Sequence, residues 1–248
     1  GAYRSRAIAR IVEEAEQLLA TGVRELNLIS QDLMAYGGDL DPAAPGGRSD
    51  LPALLKALGG IGGKFWIRLL YGHVSGLTDE LIEAIQDVPA VCHYLDVPIQ
   101  HSHPEILRAM GRGGSAGQVR KMVQRLRAAI PDITLRTTFL VGFPGETGDQ
   151  FEHLRDFVRE AAFDHLGVFT YSPEEGTPAF RMPHRPPPQV AEQRREALLL
   201  AQQEIVQARA ARLVGREAEI LLERQAPGNN NAWIGRSFRQ APEVDGET

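Results

Sequence analysis

Apolar positions along the chain switch back and forth between helical and strand spacing. From Ser5 to Ala20, Ile8, Ile11, Val12, Ala15, Leu18 and Leu19 share one helical face, and Gly22 stops the pattern. Val23 to Ser30 then reads as a strand, followed by a loop rich in Gly and Pro from about Gly37 to Ser49. Asp50 is placed as the N-cap of a short helix from Leu51 to Leu58, and Lys64 to Tyr71 returns to strand. Thr78 and Asp79 open a helix running through Val88, His93 to Val97 is the next strand, and helices begin at Pro104 and at Ser115. A last strand, His165 to Tyr171, ends at Ser172-Pro173. Strands separated by helices predict a parallel sheet with right-handed crossovers, either barrel-like or doubly wound.

The most informative stretch lies between these elements, from Thr134 to Glu146. Leu135, Thr137 and Phe139, with Leu140 and Val141, read as a strand, Gly142, Pro144 and Gly145 break it, and Thr147 to Ala162 carries helical periodicity. Such a turn is expected to bring bare backbone N–H groups to the open end of a sheet, where a ligand can approach the main chain because glycine has no side chain to block it.

Beyond the last strand the composition shifts. A Pro-rich run from Met182 to Pro188 precedes one long Arg- and Glu-rich helix, Gln189 to Leu213. From Glu217 alternation resumes at Ile220 and Leu222 and again from Ala232 to Phe238, beyond an expected Asn-rich turn at Asn229 to Asn231. The expected organisation is therefore a core over residues 1–214 and the start of a small β domain over 215–248. Two strands bury little core, so that domain is expected to be incomplete, and a parallel fold that opens on a helix is expected to have lost a preceding strand. At 248 residues and 43% hydrophobic content the chain can bury a sizeable core. A net charge of -5 argues against a general nucleic-acid coat, and no apolar run nears the ~20 residues a membrane span needs, so cytoplasmic residence is expected. Cys92 is the single cysteine and reads as a small buried hydrophobe.

In parallel α/β folds ligands gather at the carboxyl ends of the strands. Here those ends are polar: Ser30-Gln31-Asp32, Tyr71 with His73, Pro98 to His101, Gly142 to Glu146, and Tyr171 to Glu175. Taken singly, Gln31, Asp32, Gln100 and Glu146 also fit helix caps or loop anchors. Arg68 and Arg136 lie inside strands, and a buried positive charge needs an anionic partner such as a ligand carboxylate, with Arg136 the favoured position. His101 and His103 have no third His or Cys at useful spacing, so no metal site is assigned to them.

Four segments carry a family resemblance: ISQDLMAYG at Ile29 to Gly37, YLDVPIQHSHPEILRAMGR at Tyr94 to Arg112, LRTTFLVGFPGET at Leu135 to Thr147, and FTYSPEEGTPA at Phe169 to Ala179. Together they resemble the radical S-adenosylmethionine methylthiotransferases. ISQD, PIQHS and YSPEEGT are similar to the branch that methylthiolates an aspartate of a small-subunit ribosomal protein, rather than the branch that modifies adenosine in tRNA. Glu174-Glu175 in place of a basic residue fits a substrate less anionic than RNA. AWIGRSFRQAPEVDGE resembles the opening of the TRAM domain that follows the barrel in this family. The resemblance implies a partial (β/α) barrel of the radical SAM type that lacks its first strand, holding a 4Fe-4S cluster and S-adenosylmethionine. Carried over by position, Gln31 would hold the methionine end of the cofactor, Arg136 its carboxylate, the Gly142, Gly145 and Glu146 turn would face adenine, and Gln100 and Tyr171 would line the pocket.

The family's cluster loop, C-x-x-x-C-x-x-C, does not occur in this sequence. Neither Cys92 nor any His can replace its thiolates, so the 248 residues taken alone are expected to be a catalytically inert core. Two other readings remain: a tRNA-modifying relative, and a cluster-free barrel lyase or binding scaffold. Sulfur and electron donors are not encoded in any motif here.

Overall fold

A computed structural model describes residues 4–40 and 50–248. Most of the expected Gly- and Pro-rich loop, residues 41–49, lies outside the described residues. Helices and strands alternate as the periodicity requires: α1 (Ile8–Ala20), β1 (Glu25–Leu28), α2 (Leu51–Gly59), β2 (Trp66–Leu69), α3 (Asp79–Asp87), β3 (Val91–Asp96), α4 (Pro104–Ala109), α5 (Ala116–Ala129), β4 (Thr134–Val141), α6 (Gly148–Ala161), β5 (His165–Thr170) and α7 (Pro188–Ala211). The strand order is β1-β2-β3-β4-β5. Each strand is added beside its predecessor, as in a (β/α) barrel; a doubly wound sheet would reverse its order part-way. The chain divides into two compact units, one of residues 1–96, 126–133 and 216–248, the other of residues 97–125 and 134–215.

In the first unit β1 pairs with β2, and β2 with β3, all parallel. Leu51, Leu54, Leu55 and Leu58 bury one face of α2, while Leu81, Ile82, Ala84 and Ile85 bury one face of α3, whose N-cap Thr78 accepts from the Leu81 N–H. A hairpin of β6 (Leu221–Ala226) and β7 (Asn229–Arg236) completes this unit. Its turn is Pro227-Gly228, with Gly228 at φ +75°. Asn229–Asn231, expected as the turn, instead begin β7. The reason is chemical: glycine enters the left-handed region without a Cβ penalty, whereas Asn229 uses its Oδ1 to accept from the Asn231 N–H.

Arg68 is wholly buried in this unit and, like the buried Arg236, meets a carboxylate of its own chain. Its Nε donates to Glu25 Oε1 at 2.6 Å, its Nη1 to the Phe238 carbonyl at 2.7 Å, and its guanidinium lies 4.6 Å from the Tyr94 ring centre. Glu25 Oε2 accepts in turn from Arg236 Nη2 at 2.7 Å. Tyr94 donates its hydroxyl to Asp245 at 2.5 Å, and Cys92, Tyr94 and Ala241 pack with Trp66, Leu70 and Phe238. A buried charge network and an apolar cluster thus tie residues 236–245 to the first strands of their own unit.

In the second unit β4 and β5 pair in parallel from Arg136↔His165 to Val141↔Thr170. Phe139, Phe157 and Phe163 stack edge-on or tilted at centroid distances of 6.2–6.3 Å, fixing α6 on β4. Thr147 and Gln150 form a reciprocal capping box that starts α6 where the sequence placed it. Gln202 of α7 donates to the Phe163 carbonyl at 2.9 Å, and Arg209 pairs with Asp164 at 2.8 Å.

Candidate cofactor site

The second unit gathers six of the seven residues singled out for the cofactor: Gln100, Arg136, Gly142, Gly145, Glu146 and Tyr171. Gln31 belongs to the first unit, where it is exposed just after β1. Strand alternation sorts the rest. Leu135, Thr137, Phe139 and Val141 are buried, whereas Arg136, Thr138 and Leu140 are only half-buried on the opposite face. That face continues onto β5 through Thr138↔Gly167 and Leu140↔Phe169, and Phe169 is 60% exposed there. Gly167 lies beside Arg136: a Cβ on it would stand 3.5 Å from Arg136 Nη2, an ordinary contact, and 3.3 Å from Thr138 Oγ1.

Gln100 lies beside this face in an isolated parallel bridge with Phe139. Its N–H donates to the Thr138 carbonyl and its carbonyl accepts from the Leu140 N–H, both at 2.8 Å. These bonds hold Gln100 at φ +74°, a conformation that costs a residue with a Cβ about 1–2 kcal/mol. Left-handed non-glycine residues concentrate where function requires a fixed side chain. Tyr171 extends the β4–β5 pairing through its N–H to the Val141 carbonyl at 2.8 Å. Its ring lies 5.3 Å from Phe143 and 5.6 Å from the Arg185 guanidinium, yet its hydroxyl is buried with no hydrogen-bond partner.

The glycine turn corrects one expectation. Its N–H groups are not bare. Gly142 donates to the Glu146 carboxylate, Gly145 to the His184 carbonyl at 3.0 Å, and Glu146 to the Phe143 carbonyl at 3.0 Å. Buried donors must be paired, and in this turn the chain pairs them with its own acceptors. The Glu146 side chain is fully buried, so it anchors the loop from within. Asp32, similarly, caps a short 3-10 helix, Leu33–Ala35, by accepting from the Met34 N–H. Arg194 of α7, 3.2 Å from Glu146 Oε2, was not visible in the sequence, because 48 residues separate the pair.

Histidines collect near the same turn without forming a metal centre among the described residues. His101 Nδ1 accepts from the His103 N–H at 2.9 Å, and Ser102 Oγ lies 2.9 Å from His153 Nδ1. Burial, then the nearby His103, Arg120 and His101, lower the pKa of His153. Cys92 is buried in the first unit, and desolvation pushes its thiol up to about 12. An iron-sulfur cluster needs accessible thiolates, so the residues present do not fit one.

The family model for the radical SAM superfamily matches residues 1–158. The chain belongs to the radical SAM superfamily. Within it, the chain is 51% identical over 247 residues to the ribosomal protein uS12 methylthiotransferase RimO of Synechococcus sp. (strain JA-2-3B'a(2-13)), covering 99% of this chain and 50% of that protein. It is also 51% identical to the RimO of Synechocystis sp. (strain ATCC 27184 / PCC 6803 / Kazusa), over 99% of this chain and 54% of that one. The chain therefore spans about half the length of the curated relatives it matches. Among solved structures, coproporphyrinogen III oxidase (HemN) from Escherichia coli, a radical SAM enzyme, aligns at a TM-score of 0.54 and 16% identity, over 86% of this chain and 46% of that one. That likeness supports the radical SAM fold. S-adenosylmethionine and a 4Fe-4S cluster are the cofactors this superfamily implies.

Proposed function

We propose that these residues are the S-adenosylmethionine-binding core of an enzyme that adds a methylthio group to the β-carbon of an aspartate in ribosomal protein uS12. The 51% identity to a uS12 methylthiotransferase across 99% of the chain carries this reading. Exposed Glu174 and Glu175, after β5, suit a cationic protein surface better than a polyanion, which favours uS12 over tRNA. Residues 215–248 are taken as the opening of a TRAM-like domain.

The side chains of the second unit fit S-adenosylmethionine. Arg136 offers its guanidinium to the cofactor carboxylate on the half-buried face of β4, and the unpartnered Tyr171 hydroxyl offers a hydrogen bond to a polar ligand atom. Gln100, held by its two backbone bonds, presents its amide from a fixed position. The outer side of the Gly142–Gly145 turn would face adenine, with Glu146 supporting it from behind. When bound, S-adenosylmethionine supplies the radical chemistry that removes hydrogen from an unactivated carbon; the protein positions the reactants and excludes water. Cluster ligands would have to come from outside these 248 residues, which hold one cysteine.

The test is anaerobic incubation of the complete gene product, reconstituted with iron and sulfide, with uS12, S-adenosylmethionine and a reductant. A uS12 peptide heavier by one methylthio group on aspartate is expected. Modified adenosine in tRNA with unmodified uS12 would transfer the assignment to the tRNA branch.

A further inference from the structure

The glycine turn is supported from a single short segment. His184 accepts from the Gly145 N–H at 3.0 Å, and Arg185 stacks 5.6 Å from the Tyr171 ring. Ala191 stands where a Cβ on Gly142 would be, 2.5 Å from its own Cβ, so α7 packs directly on the turn backbone. Arg194 donates to the Glu146 carbonyl at 3.1 Å and lies 3.2 Å from its carboxylate, while that carboxylate accepts from the Gly142 N–H. Residues 184–194 therefore touch both glycines, the anchoring glutamate and the tyrosine of the proposed site.

We infer that residues 184–194 are a positioning element that sets the cofactor-facing turn, with Arg194–Glu146 as its central pair; this rests on the reading of the turn as a cofactor contact. A turn whose contacts are main-chain atoms cannot adjust its fit with its own side chains, so its geometry is set by what stands behind it. Two side chains approach the Glu146 carboxylate, and only Arg194 is both charged and close. His101 Nδ1 is occupied as an acceptor, so its proton is on Nε2, which faces Glu146 Oε1 across 3.6 Å, too far for a hydrogen bond. Arg194, 11% exposed, is closer and holds both the carboxylate and the carbonyl of the same residue. Removing it leaves a buried carboxylate without its charge partner, and the least costly relief is for Glu146 to swing toward water and release Gly142.

In the complete, reconstituted protein, R194M should weaken S-adenosylmethionine binding by calorimetry at least about tenfold and speed hydrogen exchange at the Gly142 and Gly145 amides, leaving the β4 interior protected. R194K, which restores the charge without the planar fork, should recover part of the affinity. Wild-type affinity and wild-type turn exchange in R194M would overturn the inference, as would a uniform rise in exchange throughout the second unit, the mark of a general packing role. Should R194M fail to fold, E146Q/R194M removes both charges together, and its turn amides must still exchange faster than wild type. If the wild-type protein binds no S-adenosylmethionine, the proposed function fails, while selective loosening of the turn still upholds the positioning role.

Discussion

Replacing Glu25 by Gln tests the buried network of the first unit. Glu25 is 6% exposed and its two oxygens accept from Arg68 at 2.6 Å and from Arg236 at 2.7 Å, both of them buried. The amide keeps the shape but removes the carboxylate charge that the two guanidinium groups share. Glu223, 32% exposed, still pairs with Arg236, whereas Arg68 would exchange a carboxylate acceptor for a neutral amide oxygen beside the Phe238 carbonyl and the Tyr94 ring face. Stripping a buried ion pair of one partner costs about 3–5 kcal/mol. In a domain of this size that corresponds to a fall in Tm of roughly 6–20 °C. The Glu247–Arg224 pair, 46% and 49% exposed, supplies the control, and E247Q should cost less than about 1 kcal/mol. Urea unfolding followed by circular dichroism measures both. An E25Q destabilisation no larger than that of E247Q would refute the argument that burial makes this network matter.

Gly142→Ala should destabilise by about 2–4 kcal/mol, because it combines a left-handed φ of +75° with a Cβ placed 2.5 Å from Ala191; adding Ala191→Gly should recover the steric share alone in the same unfolding assay. Arg136→Ala in the complete protein should weaken S-adenosylmethionine binding by about 10–150-fold, the worth of one charged hydrogen bond, and unchanged affinity by calorimetry would remove Arg136 from the site. Folding raises the Cys92 thiol from 9.0 to about 12, so the folded state keeps a proton that the unfolded chain releases. The resulting stability is complete below pH 9.0 and declines as pH rises toward about 12, by as much as roughly 4 kcal/mol. Unfolding midpoints compared at about pH 8 and about pH 10 should fall more steeply for wild type than for Cys92→Ala, and parallel declines would contradict the assignment.

Local features were legible from sequence because they depend on neighbours in the chain. Apolar periodicity located the helices and strands of the alternating core within a few residues, including α6, expected from Thr147 and observed from Gly148. The inward or outward choice at Arg136 was open in the sequence, and the burial pattern of β4 sets it on the face opposite Phe139. Three short 3-10 helices, Leu33–Ala35, Val74–Gly76 and Pro178–Arg181, escaped notice because so few residues carry no period. Partnerships between distant residues were illegible for a different reason. Glu25 and Arg68, or Glu146 and Arg194, meet only through the topology, and nothing in the local pattern of either residue names its partner. The same gap made the turn's N–H groups look bare, since their acceptors His184 and Glu146 are fixed by how the turn folds back and by the segment entering α7.

The account stands or falls on where S-adenosylmethionine binds. A crystal structure of the complete protein with S-adenosylmethionine should show the adenine against the Gly142–Gly145 turn and the carboxylate on Arg136, with the Tyr171 hydroxyl newly hydrogen-bonded. Cofactor density away from β4 and its turn, with Arg136 and Tyr171 unchanged, would contradict it.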